Sequence, residues 1–393
     1  MPAANPLLEG LPLLGDLPDL AGASVLVRVD FNVPLRTGAD GAPEVADDFR
    51  IRAALPTLEA LAARGATVTA ATHLGRPKGA PDARWDLAPV RAVLERLAPG
   101  VSLLENLRFD PGETADDPAF VAALVAGHDA FVNDAFGVSH RAHASVVGPP
   151  RTLPSAAGLL LEREIDALGG LLGSPERPFV AVVGGAKVSD KLGVLQALIE
   201  RVDALVVGGG MAFTFLAAQG HEVGSSLLDA DRIDDCKELL SRGVPILLPT
   251  DIVALEAGAA FGRGETGGAV RTVGADVPAG WAGLDIGPES VAAYAACLAS
   301  AGTVLWNGPM GVFEDARFAA GTAGVARAVA DCAGYTVVGG GDSVAAIGEL
   351  GLEDRIDFIS TGGGASLELL EFGDLPGLAA LRGAPNAPAG GSR

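Results

Sequence analysis

Apolar positions along the chain fall into two alternating patterns. SVLVRVDF (24–31), ATVTAATH (66–73), VSLLEN (101–106) and AFVNDAF (130–136) are short runs rich in Val, Leu and Phe. Between them apolar residues return at helical spacing: Ile51, Leu55, Leu58 and Leu61 before Gly65, then Leu87, Val90, Leu94 and Leu97. Strand and helix in alternation predict a parallel sheet with helices on both faces.

The second half repeats the alternation with another signature. FVAVVGG (179–185), ALVVGGG (204–210), YTVVGGG (335–341) and DFISTGGG (357–364) all end in glycine, and each cluster reads as opening a helix. Glycine lets backbone approach a ligand closely, and a helix N-terminus offers free amides and the positive end of a dipole. Ligands of open parallel sheets bind at the carboxyl ends of the strands, so four such turns point to a polyphosphate site. LLLEREIDALGGLLGSPERPF (159–179) reads as a helix running into a Ser-Pro turn. The expected fold class is therefore α/β: two doubly wound parallel-sheet (Rossmann-like) domains joined by a hinge helix, the first over 1–172 and the second over 173–369. The closing stretch RGAPNAPAGGSR is expected to be a loose tail.

Composition supports two domains, since 393 residues exceed one ordinary core. The net charge of −21 disfavours nucleic acid and anionic membrane as partners, because both need a positive field. Cys236, Cys297 and Cys332 match no metal or redox spacing and read as small buried apolar side chains in a reducing compartment. The N-terminus lacks the basic segment of a signal peptide. Ser290 to Phe313 is uncharged and long enough to span a bilayer, but Ala301-Gly302 and Asn307-Gly308-Pro309 divide it into a buried helix, a strand at Thr303–Trp306 and a turn. The expectation is a soluble, cytoplasmic protein.

The few cations are concentrated. Only four lysines occur (Lys78, Lys187, Lys191 and Lys237), and two of them lie in GGAKVSDK (184–191) directly after a strand. At helical spacing Lys187 and Lys191 would share one face beside an anion-binding helix start. In the first half, THLGRP (72–77) presents His73 and Arg76, LLENLRFD (103–110) presents Arg108, and NDAFGVSHRAHAS (133–145) packs His140, Arg141 and His143 together. Cations at strand ends of an acidic chain suggest a funnel for a small, multiply charged anion.

These segments resemble the phosphoglycerate kinase family. RVDFNVP (28–34), RIRAALPT (50–57), THLGRP, ENLRFD (105–110) and DAFGVSHRAH (134–143) look, in order, like its substrate-side motifs. GGAKVSDK, GGGMAFTFL (208–216), GLDIGPES (283–290), WNGPMGVFE (306–314), VVGGGDS (337–343) and TGGGAS (361–366) look like its nucleotide-side motifs. The resemblance runs from Leu20 to Arg382. It implies reversible, Mg²⁺-dependent phosphoryl transfer between 1,3-bisphosphoglycerate and ADP, giving 3-phosphoglycerate and ATP in glycolysis or gluconeogenesis, by a monomer that bends at a hinge. It also implies that residues from about 370 to 393 pack back on the first domain.

Carried over by residue, the resemblance assigns Asp30, Asn32, Arg50, His73, Arg76, Arg108 and Arg141 to 3-phosphoglycerate. Arg76, Arg108 and Arg141 would grip the phosphate, and Asp30, Asn32 and His73 would orient the hydroxyl and carboxyl end. Gly185, Lys191, Gly209, Leu284, Asn307, Glu314, Gly340, Gly341, Asp342 and Ser343 would hold ATP or ADP, with Glu314 on the ribose and Asp342 on Mg²⁺. Arg50, Lys187, Gly363 and Gly364 would serve the phosphoryl group in flight. A carboxylate attacking ATP is already a competent nucleophile, so positioning and charge neutralisation suffice. Thr72 stands where the family usually shows Ser, Ser139 where Ala is commoner, and 254–270 departs from the family pattern, its conformation left open.

Other classes fit less well. The single G-x-G-x-x-G of a nicotinamide-dependent dehydrogenase, Gly262 to Gly267, follows no apolar strand run and leads into GAVRTV rather than a helix. The G-x-x-x-x-G-K-[ST] loop of P-loop enzymes is absent. A non-catalytic binding protein that closes on a phosphorylated ligand would use the same clamps, but not a metal-competent Asp342 beside the lysine pair.

Overall fold

The structure, a computed structural model, describes residues 5–39 and 41–386. Two compact units divide the chain: residues up to Gly173 together with those from Phe372 onward form the first, and Ser174–Glu371 form the second.

The first unit contains β1 (Ser24–Val29), β2 (Leu35–Thr37), β3 (Pro43–Val45), β4 (Thr67–Ala71), β5 (Ser102–Leu103), β6 (Ala130–Asp134) and β7 (Ser155–Ala157). Five of these build one parallel sheet in the order β5-β4-β1-β6-β7, and β2 and β3 pair as an antiparallel hairpin. Val25 sits between Val68 on β4 and Ala130 on β6. Alternate residues of β1 serve two cores: Val25, Val27 and Val29 pack on one face, Leu26 on the other. That is why the strand reads as a continuous apolar run. The helix Phe49–Ala63 turns Ile51, Ala54, Leu58 and Leu61 into the first of these cores, and its sequence-expected Leu55 is only partly buried.

The helix Leu159–Gly173 follows β7, and its start is held by the last residue of β6. Leu160 and Leu161 donate their backbone N–H groups to Asp134 Oδ1 at 2.9 and 3.2 Å, and Leu159 donates to Thr57 Oγ1 at 2.9 Å. Three orphan donors of a helix start are thereby satisfied. Burial raises the Asp134 carboxyl to about 7, although those same hydrogen bonds favour its charged form. The C-terminal segment is tied to this unit as well. Gly377 N–H donates to Ser139 O at 2.8 Å, Arg382 donates to the carbonyls of Glu9 and Leu7, and the Asn386 amide bonds both backbone groups of Ser155. The expected loose tail thus does not begin at Arg382, which ends a helix; residues 387–393 lie outside the described residues.

The second unit contains β8 (Phe179–Val183), β9 (Ala204–Val207), β10 (Ile246–Leu247), β11 (Asp251–Glu256), β12 (Val270–Gly274), β13 (Trp281–Ile286), β14 (Thr303–Asn307), β15 (Tyr335–Gly339) and β16 (Phe358–Ile359). Its main sheet is parallel, in the order β10-β9-β8-β14-β15-β16. A second, antiparallel sheet, β12-β11-β13, was not foreseen, and its β11–β12 hairpin is the stretch whose sequence departs from the family pattern. The uncharged stretch resolves into the helix Pro288–Leu298 and β14, and among the described residues no helix is long and apolar enough to cross a membrane. Val180, Val182, Val304 and Trp306 form the core of this unit with residues of the covering helices. All three cysteines are free; Cys236 is buried, whereas Cys297 and Cys332 are only partly so.

Candidate functional site

In the first unit the site grows from the carboxyl ends of β1, β4 and β6. Asp30 and Asn32 follow β1. The Arg50 guanidinium, on the first turn of its helix, donates to Asp30 Oδ2 at 2.9 Å and to Asn32 O at 3.3 Å. Asn32 Oδ1 accepts the Gly75 N–H at 2.8 Å, which brings the loop after β4 alongside. Thr72 supplies a hydroxyl that accepts the Phe31 N–H at 2.9 Å, so the residue standing in place of Ser keeps the function of a hydroxyl. His73 Nδ1 lies 3.8 Å from Asp30. Asn106 joins the next loop: its amide donates to Leu74 O and Trp85 O and accepts from Arg108 N–H. Arg108 in turn donates to Gly75 O at 2.8 Å.

These loops enclose a pocket of about 470 Å³ whose walls include Arg76, Lys78, Arg108, Arg141 and His143. Arg108 is only 9 % exposed, and its Nε has no hydrogen-bond partner among the described residues. A buried guanidinium nitrogen left unpaired is costly unless a ligand completes it. Burial and the neighbouring Arg141 and Arg28 lower the Arg108 pKa to about 10. His73 is held well below its ordinary value by burial first and then by Arg28, Arg108, Arg50 and Arg141, and His143 is lowered to about 4 by burial first and then by Arg108, Arg141 and Arg28. Both imidazoles are therefore neutral at pH 7, and the positive charge of the pocket belongs to its guanidiniums and Lys78.

A buried network beneath the pocket escaped the sequence reading. Arg28 occupies an interior position of β1 with no exposure, donating from Nε to Ser145 Oγ at 2.8 Å and from Nη1 to Val29 O. Its Nη2 reaches His73 Nδ1 at 3.3 Å and lies 4.0 Å from Glu113. Glu113 is fully buried and accepts both the N–H and the hydroxyl of Ser145. A charged residue interrupting an apolar strand run was the available signal for Arg28; nothing local marks Glu113.

In the second unit the glycine turns converge at the carboxyl ends of β8, β9, β14, β15 and β16, and they touch through backbone. A Cβ on Gly209, whose φ is +70°, would lie 2.6 Å from Gly185 O. A Cβ on Gly363 would lie 2.3 Å from Gly340 Cα. No side chain fits at either position. Gly341 and Gly363 each open a helix, Gly341–Glu349 and Gly363–Phe372, whose first turns carry Asp342 and Gly364. Ser343 is buried and turns inward, its hydroxyl accepting the Gly308 N–H at 2.6 Å.

The turn after β8 corrects an expectation. It does not open a helix at once: the helix there begins only at Leu192, and Lys191 is its N-cap. Lys187 and Lys191 therefore share no helix face. Lys187 lies exposed in irregular backbone. Lys191 Nζ donates to Gly184 O at 2.7 Å, Asn307 O at 3.2 Å and Asn307 Oδ1 at 2.7 Å, so all three of its protons are engaged. Burial lowers its pKa to about 8, against the opposing pull of Asp342 and Asp190.

Beside these turns lies a cleft of about 690 Å³. Gly185, Gly209, Leu284, Glu314 and Asp342, all sequence-assigned, line it; Lys191, Asn307, Gly340, Gly341, Ser343, Lys187, Gly363 and Gly364 are not among its wall residues. Phe213, Leu227, Phe261, Met310 and Val312 contribute apolar walls that the sequence reading missed. Phe261 is 52 % exposed, and an aromatic residue inside a glycine-rich stretch was its signal. Among the described residues no cluster of three His, Cys, Asp or Glu side chains could hold a metal.

An α/β protein with a cation-lined pocket at the strand ends of one unit and glycine turns over a cleft in the other belongs, by fold and site, with the phosphotransferases. Comparison with known proteins specifies which. The phosphoglycerate kinase family model matches residues 14–102 and 95–372. The phosphoglycerate kinase of Rubrobacter xylanophilus is 52 % identical over 388 residues, covering 92 % of this chain and 96 % of the relative. That of Roseiflexus sp. is 50 % identical over 396 residues, covering 93 % and 98 %. Among solved structures, the phosphoglycerate kinase of Coxiella burnetii matches with a TM-score of 0.81 at 36 % identity, covering 94 % of this chain and 98 % of that one. The enzyme of Pyrococcus horikoshii OT3 matches with a TM-score of 0.82 at 31 % identity, covering 95 % and 99 %. The chain belongs to the phosphoglycerate kinase family. It is a glycolytic kinase, and its small-molecule substrates are 3-phosphoglycerate and ATP.

Proposed function

We propose that the first unit, built on residues 1–172 with the C-terminal segment, binds 3-phosphoglycerate, and that the second, 173–369, binds the nucleotide. The observation that carries this reading is the pair of contrasting surfaces: a pocket of guanidiniums with an unpaired, buried Arg108 Nε in one unit, and an apolar, glycine-lined cleft in the other. Arg76, Arg108 and Arg141 hold the phosphate, where planar forks match its oxygens. Asp30, Asn32 and a neutral His73 orient the hydroxyl and carboxylate. In the cleft, Gly185, Gly209 and Leu284 face the base, Glu314 accepts from the ribose, and Asn307 and Lys191 support the turn from beneath. Gly340, Gly341, Asp342 and Ser343 present the helix start to the phosphates.

Reaction follows from charge. In the ATP-consuming direction a carboxylate oxygen of 3-phosphoglycerate forms the new bond to the γ-phosphorus as its bond to the ADP oxygen breaks; no proton needs to move. Lys187 and Arg50 neutralise the oxygens in flight, with the amides at Gly363 and Gly364. Asp342 is a single exposed carboxylate on the cleft wall, which fits Mg²⁺ arriving on the nucleotide, since Mg²⁺ takes one or two carboxylates and completes its shell with phosphate and water. When bound, the ion would add positive charge at the phosphates. Both substrates must meet, so the reading includes a hinge motion at the junction after Gly173. It also includes a monomer in the cytoplasm that engages neither nucleic acid nor membrane, consistent with the acidic charge.

The test is ADP production by purified protein given 3-phosphoglycerate, ATP and Mg²⁺, with calorimetric titration of each substrate. No turnover, or turnover indifferent to Mg²⁺, would defeat the reading.

A further inference from the structure

The β11–β12 loop, residues 257–269, carries five glycines and would be expected to wander. Instead its position is set from outside. Asp315, next in sequence to Glu314 on the cleft wall, is 2 % exposed and receives the Arg317 guanidinium on both carboxylate oxygens, at 3.0 and 2.7 Å. The pair then reaches into the loop. Asp315 Oδ2 accepts the Gly262 N–H at 3.0 Å, and Arg317 donates to Ala260 O at 3.1 Å and to Gly267 O. Ala260 and Gly262 flank Phe261, so the backbone on both sides of that ring is held by one ion pair. Phe261 is itself more than half exposed and lines the cleft, as do Gly185 and Gly209 of the glycine turns.

We propose that Asp315 and Arg317 are positioning residues that hold Phe261 as a stacking platform for the nucleotide base, and so set how strongly base-bearing nucleotides bind relative to bare polyphosphate. This rests on the nucleotide reading of the cleft. A mobile aromatic would lose to chain ordering much of what stacking contributes; a ring fixed by two backbone anchors meets that cost in folding instead. Planar forks at both oxygens of Asp315 make arginine specific here, because lysine cannot make the paired contact and reach two carbonyls as well.

Calorimetric titration of wild type, Phe261→Ala, Arg317→Ala, Arg317→Lys and the Phe261→Ala/Arg317→Ala double variant with ADP, inorganic tripolyphosphate and 3-phosphoglycerate tests the proposal. Phe261→Ala and Arg317→Ala should each weaken ADP about tenfold, the scale of one lost base–aromatic stack, and leave the other two ligands within about twofold. Arg317→Lys should fall between. The double variant should bind ADP no worse than Phe261→Ala alone, because the pin acts only through the ring. Unchanged ADP affinity in Arg317→Ala, an equal loss for tripolyphosphate, or additive losses in the double variant would each overturn it. Wild type binding ADP while Phe261→Ala binds it equally well defeats this inference and spares the nucleotide reading. Wild type that binds no ADP defeats both.

Discussion

The two units solve one physical problem by opposite means. Each presents an anion-compatible surface at the carboxyl ends of a parallel sheet, in a chain whose net charge is −21. The first does so with side chains: Arg76, Arg108 and Arg141 from loops, and Arg50 from the first turn of its helix, all in segments cross-linked by Asn32, Asn106 and Asp30. The second does so with backbone: its glycine turns pack so closely that a methyl group at Gly209 or Gly363 has no room. Long-range charge discriminates little about shape, whereas backbone amides and close-packed turns recognise shape with little net charge. A small, highly charged ligand suits the first device, and a large one with a flat apolar portion suits the second.

Several substitutions sharpen or break this contrast. The largest effect is expected at Lys187, an exposed cation beside the glycine turn after β8. Lys187→Ala should lower kcat by about two orders of magnitude or more, the scale of one oxyanion donor, with ADP and 3-phosphoglycerate affinities little changed. Steady-state kinetics in both directions with titrations would decide it; near-normal kcat with lost ADP affinity would remove the catalytic role. Arg108→Ala should cost 3-phosphoglycerate binding about 1.5–3 kcal/mol and spare ADP. Equal losses for both ligands would dissolve the division between the units, and a thermal melt separates lost contact from lost packing against Gly75.

Gly363→Ala tests the backbone device. Its Cβ would meet Gly340 at 2.3 Å, so the variant should lose about 1–3 kcal/mol of stability, read by denaturant unfolding, and bind ADP more weakly. Normal stability would mean that the turn gives way easily. The smallest effect concerns Lys191, whose pKa of about 8 lies below the ordinary 10.5. Its charged form favours an anion, so ADP affinity should be flat below about pH 7, fall about twofold by pH 8 and up to about tenfold by pH 9. For stability the sign is opposite. The folded protein releases this proton near 8 while the unfolded chain keeps it to 10.5, so burying the charge costs stability below pH 8, and the cost shrinks as pH rises across that interval. A pH series of ADP titrations against Lys191→Met distinguishes this group from others.

What the sequence determined by itself was local and repetitive. Buried strands need continuous apolar runs and their helices a period near 3.6, so the α/β class and the strand ends are readable from spacing, as are motifs such as THLGRP and VVGGGDS sitting at those ends. Only tertiary structure decided which residues of similar type do different things. Lys187 and Lys191 look equivalent in GGAKVSDK, yet Lys191 makes two of its three hydrogen bonds to Asn307, more than a hundred residues away, while Lys187 stays exposed. Arg28 on β1 is buried with Glu113 and Ser145, partners that the strand pattern cannot name. The antiparallel sheet and the Asp315–Arg317 anchor on the loop of Phe261 are likewise products of packing. Periodicity reports what each segment must bury; which distant groups then satisfy its charges and backbone is settled only when the segments meet.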